Sequence, residues 1–237
     1  MADINEYSNQ TAKRTVSFSN LSQREAEIIL GFKLRDFYDS QTQIEQFITT
    51  AAPEQLKNKI FGRLIDCIGS EGFPVATICP MNQSVVKANI GIILQAMVAY
   101  SQRTMNHDDL MLKREIEIIS KDEQFGGNME FAVTQMNDIE ATRYVLVVET
   151  IGDSLGRGLT QMLLTLKSMW DVNNDQKMVH GFLTTAINWQ LVTYDGQTWK
   201  LSEPSTLLLA NMRKQEDRWL KNNTQILDAI YSILASI

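Results

Sequence analysis

Residues 144–149, Tyr-Val-Leu-Val-Val-Glu, are the segment that most restricts what this chain can fold into. The segment is rich in β-branched residues and is apolar without alternation until Glu149, which predicts a strand that is covered on both faces. An Asp-Ser pair at 153 and 154 then caps a helix whose apolar stripe runs to Trp170. This succession predicts an α/β protein with a mixed central sheet.

Other strands are predicted on both sides of this segment. Residues 115–119 and 128–134 alternate between apolar and polar side chains, as half-buried strands do. Residues 137–141 form a mostly polar turn between the second and third strands. Two further strands are predicted after the helix, and Asp195-Gly196 is a hairpin signal. The two strands lie at residues 178–184 and 189–194, and the hairpin signal connects the second of them to residues 198–201.

Helical periodicity dominates the rest of the chain. Apolar residues recur at helical spacing through most of the first hundred positions, and again from Ser205 to the end. The sheet is expected from about Met111 to Leu201. The predicted organisation is a flexible N-terminal arm (1–20), a helical region (21–110), an α/β core (111–201) and a C-terminal helical region (202–237), packed as one unit.

Charge and hydropathy exclude several classes of protein. The chain has 22 basic and 28 acidic residues, a net charge of −6, and no basic cluster typical of a strong nucleic-acid binder. A catalytic groove can still be locally basic. The best apolar run, residues 90–100, is about half of the roughly 20 residues that a membrane span needs. Without a signal peptide pattern either, the sequence predicts an intracellular protein, cytoplasmic or nuclear, with no membrane partner.

Two acidic residues stand in strands where a carboxylate is costly. Glu130 interrupts one strand and Glu149 ends the most apolar one. If these strands form a hairpin folded near residues 139 and 140, the two glutamates are opposite each other, with Cβ atoms roughly 5 Å apart. Such a pair needs a divalent cation or a shared proton, and Mg²⁺ or Mn²⁺ suits the oxygen ligands. Glu117 or Glu115, on the preceding strand, is a candidate third ligand.

The order of these elements resembles that of the PD-(D/E)xK nuclease-like superfamily, over about a third of the chain. Residues 127–131, Gly-Asn-Met-Glu-Phe, are similar to its motif with an acid on the second strand. Residues 147–151, Val-Val-Glu-Thr-Ile, are similar to its E-x-K motif, and Gln161 resembles a helix glutamine of some members. Residues 180–191 resemble the closing strands of nuclease-like domains in many fungal proteins, including crinkler-type effectors.

The resemblance implies the restriction-endonuclease-like core order, strand-strand-strand-helix-strand, and metal-dependent hydrolysis of nucleic acid. It implies that Glu130 and Glu149 bind the metal, with Glu117 as a further ligand. The superfamily lysine of E-x-K is replaced by Ile151, which cannot orient water or stabilise charge on a phosphate. Arg157 shares a helix face with Gln161 and is the expected substitute.

Two functions remain open at this point. The first is a weak or degenerate magnesium-dependent nuclease, acting on DNA or RNA, with Glu130, Glu149, Gln161 and Arg157 as its catalytic residues. The alternative is a catalytically inactive pseudo-nuclease, an effector module that binds another protein or itself. A C-terminal apolar stripe that includes Trp219, Tyr231 and Ile237 is its candidate contact surface. The non-functional interpretation is that Glu130 and Glu149 are an ordinary polar pair and that Gln161 and Arg157 lie on a solvated helix face.

Overall fold

The fold is known from a computed structural model that describes residues 15–74, 83–136, 142–151 and 155–237, with the backbone only for 155–157. The protein is α/β, with one mixed sheet between helices, as the sequence predicts. The predicted turn at 137–141, the helix cap at 153 and 154 and the first fourteen residues of the predicted arm lie outside the described residues.

Helices precede, interrupt and follow the sheet. The described α-helices are α1 (Gln23–Leu30), α2 (Leu34–Tyr38), α3 (Glu54–Glu71), α4 (Gln83–Thr104), α5 (Leu155–Asn173), α6 (Glu216–Asn222) and α7 (Gln225–Ala235). Local sequence explains two of their ends. A reciprocal capping box between Ser22 and Glu25 starts α1, and Gly72 ends α3 with a φ of +97° that favours glycine.

The described strands form one sheet of eight. They are β1 (Val16–Ser17), β2 (Leu110–Ile119), β3 (Phe125–Met136), β4 (Thr142–Thr150), β5 (Val179–Thr184), β6 (Asn188–Tyr194), β7 (Trp199–Leu201) and β8 (Ser205–Thr206). Strands β2, β3 and β4 form an antiparallel meander. Helix α5 then crosses over, so that β5 pairs with β4 in parallel, and β6 pairs with β5 in antiparallel.

Each face of the sheet carries its own core. Helices α3, α4 and α7 cover one face, where Phe131, Val148 and Phe182 pack. Helix α5 covers the other face, where Met162 packs against Gly181 so closely that a Cβ on the glycine would lie 2.2 Å from its sulfur. The unbroken apolar character of residues 144–148 follows, because β4 is covered from both sides.

Helix α4 is the one described helix that is long and apolar enough to cross a bilayer. Its most apolar window is 61% buried inside the fold, between α3, α7 and the sheet. This burial is compatible with the core helix of a soluble protein, because a lipid-facing helix would leave that surface uncovered.

Two expectations about the ends of the chain need correction. Residues 15–20 of the predicted flexible arm belong to the fold, since Val16 and Ser17 pair with β3 and Phe18 is buried. Trp219 cannot be a contact surface, because it is fully buried against Phe61 and donates its indole N–H to a backbone carbonyl. Tyr231 and Ile237, the other named residues of the C-terminal apolar stripe, pack against the same core but are only partly buried.

Candidate functional site

The candidate site lies at a fork in the sheet, where β3 and β4 separate. Phe131 is paired with Val148 in the last antiparallel pair, and Glu130 and Glu149 occupy the next position on each strand. Beyond this point β4 continues along β5, with Glu149 beside Leu183. The two glutamates are therefore on adjacent strands in the predicted register, at the place where the ladder ends.

The two side chains replace the ladder hydrogen bonds that the fork removes. The backbone N–H of Thr150 donates to Glu130 Oε2 at 3.2 Å. The carboxyl group of Glu149 accepts a hydrogen bond from the backbone N–H of Glu130. Each strand thus donates an N–H to a glutamate of the other strand. This explains how a carboxylate is accommodated at the end of a buried strand, because buried N–H groups require an acceptor.

Lys87 of α4 brings a positive charge to the fork. Its Nζ lies 3.1 Å from Glu130 Oε1 and 3.9 Å from a carboxylate oxygen of Glu115. The Glu130 side chain is only 15% exposed, whereas that of Lys87 is 33% exposed. Both oxygens of Glu130 therefore have partners, one a lysine ammonium and the other a backbone N–H.

Among the described carboxyl groups, Glu149 has an unusual environment. Burial raises its pKa from the usual 4.5 to about 7, and the nearby negative charge of Glu130 adds to the rise. Lys87 and the hydrogen bond from Glu130 act in the opposite direction. Its Oε2 is buried and has no hydrogen-bond partner in the described part of the chain. A buried and unpartnered oxygen is costly unless something else binds it.

The backbone of β2 is distorted beside this fork. Glu115, which would oppose Glu130 on β2, has a φ of +49° inside a strand. Before it, Leu112 faces the core under α4, and after it, Ile116 faces the core under α5. The side of the sheet that these alternate side chains of β2 face therefore changes at Glu115. A non-glycine residue in this conformation costs about 1 kcal/mol or more, and such strain clusters at functional sites.

The third predicted ligand is not brought into the site. Glu117 is exposed on β2, opposite Asn128. In the ranges that the structure describes, no three acidic, histidine or cysteine residues are gathered closely enough to hold a metal ion. Glu115 is the β2 acid that approaches Lys87, and its side chain is 82% exposed. The sequence could not choose between the two, because the strand distortion at Glu115 breaks the alternation.

Helix α5 packs on the sheet as its stripe predicts. Leu159, Met162, Leu163 and Leu166 are all buried in the core under this helix. Gln161 is partly buried on α5. Arg157 belongs to the first turn, and its side chain lies outside the described ones, so its approach to the glutamates stays a prediction.

Ile151, which stands where the motif resemblance would place a lysine, is used for packing. It lies in the core under α5, and a Cβ on Gly158 would be 2.5 Å from its Cγ2. A lysine at this position would have to bury its ammonium group against α5, at a high desolvation cost. The cation of the site therefore comes from another element, Lys87 of α4.

Lys87 is the site residue that sequence reasoning missed. It precedes β2 by more than twenty positions, and it lacks a motif or a local pairing partner on its own helix. The available signal was that α4 carries a lysine among apolar residues. Only the packing of α4 on the sheet shows that this lysine reaches Glu130.

His180, another titratable residue near the sheet, is structural. Burial lowers the pKa of its imidazole to about 4, so it is neutral at physiological pH, and its Nδ1 lies 3.3 Å from the carbonyl oxygen of Val145.

Comparison with known proteins does not assign a function to this chain. No family model matches the chain, and no curated protein is significantly similar to it.

Proposed function

We propose that this protein is a PD-(D/E)xK nuclease-like protein whose chemistry is weak, metal-dependent hydrolysis of a nucleic-acid phosphodiester. One observation carries the proposal: Glu130 and Glu149 meet at the β3–β4 fork, and Glu149 keeps a buried oxygen without a partner in the described ranges. The succession of β2, β3, β4, α5 and β5 supports it, because the resemblance implies three strands, a helix and a strand.

The donor atoms at the fork suit a hard divalent cation. Glu130 and Glu149 offer carboxylate oxygens, and the Oε2 of Glu149 is the kind of atom that a cation would satisfy. Mg²⁺ commonly uses one or two carboxylates and completes its shell with water and substrate phosphate oxygens. When bound, Mg²⁺ or Mn²⁺ would polarise the phosphodiester and lower the pKa of a water molecule.

The chain's own groups have distinct roles in this proposal. Glu149 must lose its proton before it can bind a cation, so its raised pKa makes the site more competent as the pH rises through about 7. Lys87 supplies the positive charge that Ile151 cannot, and it would stabilise negative charge that develops on the phosphate. Gln161 and Arg157 are proposed to assist from α5.

One observation favours the alternative, a catalytically inactive pseudo-nuclease that works by binding. The ammonium group of Lys87 already neutralises Glu130 at 3.1 Å, and a protonated Glu149 carries no charge. Lys87, Glu130 and Glu149 together then carry no net charge, even without a metal. Under this alternative Lys87 is a built-in cation that replaces the metal, and the protein acts on a partner or on a second copy of itself.

The first experiment is incubation of the purified chain with single- and double-stranded DNA and RNA, with Mg²⁺ or Mn²⁺. We expect slow cleavage that Glu149→Ala abolishes, because loss of one such electrostatic group typically costs about 10²–10³ in rate. Vigorous cleavage that survives Glu149→Ala would place the active site elsewhere. Absence of both cleavage and calorimetric Mn²⁺ binding would leave the binding function alone.

A second experiment separates the two roles of Lys87. If Lys87 is catalytic, Lys87→Met abolishes cleavage while Mn²⁺ binding is retained. If it replaces the metal, Lys87→Met instead creates or strengthens Mn²⁺ binding in a protein that does not cleave. Lys167→Met is the matched control, because Lys167 is also 33% exposed and also paired with a carboxylate, that of Asp171. This control should change neither property.

A further inference from the structure

Three basic side chains from three different elements lie along one side of α4. Lys87, Gly91 and Gln95 follow one another at intervals of four residues, so they share a side of the helix. Arg114 of β2 lies against α4 at Gly91, where a Cβ would be 2.7 Å from its Nη2. Arg63 of α3 donates a hydrogen bond to Gln95 Oε1 at 3.3 Å. We call Lys87, Arg114 and Arg63 the basic track.

The two arginines of the track have no carboxylate partner among the described residues, whereas Lys87 contacts Glu130 and Glu115. The chain as a whole carries a net charge of −6. Two arginines on one side of α4, without a counter-charge in the described ranges, give an acidic protein local positive charge that an anionic ligand would complement.

Arg114 is also held in place. Its guanidinium carbon lies 4.9 Å from the ring centroid of Phe131, over the aromatic face. Gly91 leaves room for the guanidinium against the helix. A glycine inside a helix costs about 0.5–1 kcal/mol relative to alanine, so this position sacrifices helix stability for the close approach. A fixed, planar guanidinium is well suited to bind phosphate oxygens.

We propose that the basic track binds the phosphate backbone of a nucleic-acid strand and leads it to the Glu130–Glu149 fork. Successive steps of four residues advance about 6 Å along the helix, which is comparable to the separation of neighbouring phosphates in an extended strand. Lys87 joins the track to the fork, because it contacts Glu130. The end point of the track rests on the proposed function, but binding along it does not require cleavage.

The test is binding of fluorescein-labelled single-stranded DNA and RNA, followed by fluorescence anisotropy in EDTA over a range of salt concentrations. EDTA removes divalent cations, so binding is measured apart from cleavage. We expect Arg114→Ala and Arg63→Ala each to weaken binding about fivefold at low salt. Each should also reduce the slope of log affinity against log salt by about one, because one phosphate contact is lost.

Matched controls separate position from charge. Lys113→Ala removes the neighbouring charge on β2, whose partner Ala132 faces the α5 core. Arg218→Ala removes an arginine that also binds a glutamine, Gln215, but on α6. Both should bind like the wild type. Gly91→Ala should weaken binding without any change in charge, because its Cβ displaces the Arg114 guanidinium.

The outcomes distinguish this proposal from the nuclease proposal. Track-dependent binding without cleavage under Mg²⁺ would support the track and favour the inactive alternative. A second outcome is that the wild type cleaves nucleic acid, but Arg114→Ala and Arg63→Ala bind it as tightly as the control Lys113→Ala. That outcome would overturn the track and leave the nuclease proposal intact. Absence of nucleic-acid binding by the wild type at low salt would also overturn the track. So would binding to phosphatidylserine vesicles that is as tight as nucleic-acid binding and equally weakened by the track variants, because it would indicate a lipid surface as the ligand.

Discussion

Two lysine–carboxylate clusters of this protein differ in how completely their oxygens are used. In one, Asp228 of α7 accepts the backbone N–H of Ala52 at 2.7 Å and lies 2.8 Å from Lys57 Nζ through the same oxygen. Its other oxygen accepts a hydrogen bond from Lys57 at 3.0 Å. In the other, Lys87 pairs with Glu130, and Glu149 keeps a buried oxygen without a partner in the described part of the chain.

This difference separates a structural cluster from a candidate functional one. Asp228 and Ser232, one helical turn apart, fasten residues 49–52 to α7, because Ser232 also accepts the N–H groups of Thr49 and Thr50. A carboxylate whose two oxygens both have partners contributes stability and has no oxygen free to bind a ligand. Glu149 has the opposite balance, since burial without a full set of partners costs stability and leaves an oxygen available.

The largest effect is expected at the structural cluster. Asp228→Ala leaves the partly buried ammonium of Lys57 unpaired and the N–H of Ala52 without an acceptor, so we expect a loss of about 3 kcal/mol in the free energy of unfolding. Urea denaturation at pH 7 measures this loss. Mn²⁺ binding by the folded variant should be unchanged, and a loss of metal binding in a well-folded Asp228→Ala would erase the distinction between the clusters.

The opposite sign is expected at the candidate site. The pKa of Glu149 is about 7 in the folded protein and 4.5 when unperturbed, so between these values the native state holds a proton that the unfolded state lacks. Stability therefore falls as the pH rises through this window. Glu149→Gln removes the dependence, and above pH 7 it should stabilise the protein by at most about 3 kcal/mol.

Urea denaturation of the wild type and Glu149→Gln at pH 4.5, 6 and 8 measures this gain. The two proteins should be equally stable near pH 4.5 and diverge as the pH rises. Glu117→Gln, a change at an exposed glutamate, is the control and should follow the wild type. A Glu149→Gln variant that is less stable than the wild type at pH 8 would show that Glu149 has the partners of a structural carboxylate.

The smallest effects concern the coupling inside the candidate cluster. Glu130→Gln should lower the pKa of Glu149, because it removes a neighbouring negative charge, and Lys87→Met should raise it. Each change should alter the pH dependence of stability by about 1 kcal/mol or less. The midpoint of the pH–stability curve measures both shifts, and shifts of the same sign in the two variants would contradict the proposed arrangement.

Sequence alone predicted the main strands, helix α5 and the adjacency of the two glutamates, but not the short strands β1 and β8, the latter at Ser205–Thr206 where helix was expected. The alternation at residues 128–134 and the apolar run at 144–149 define adjacent strands. The exact register depends on the fold, because an irregularity between Val133 and Thr134 shifts the pairing by one residue from Thr134–Tyr144 to Val133–Leu146 and so brings Glu130 level with Glu149. The α5 stripe was equally predictable, because helical periodicity and burial follow from local sequence.

Tertiary structure alone decided what surrounds that pair. Lys87 and Arg114 are far apart in sequence, and only the packing of α4 on the sheet brings Lys87 to Glu130 and Arg114 to Gly91. The positive φ of Glu115, which exchanges the faces of β2, decides that Glu115 and not Glu117 approaches Lys87. Sequence patterns report which face of an element is buried. Contacts between distant elements depend on how those faces pack, which no local pattern encodes.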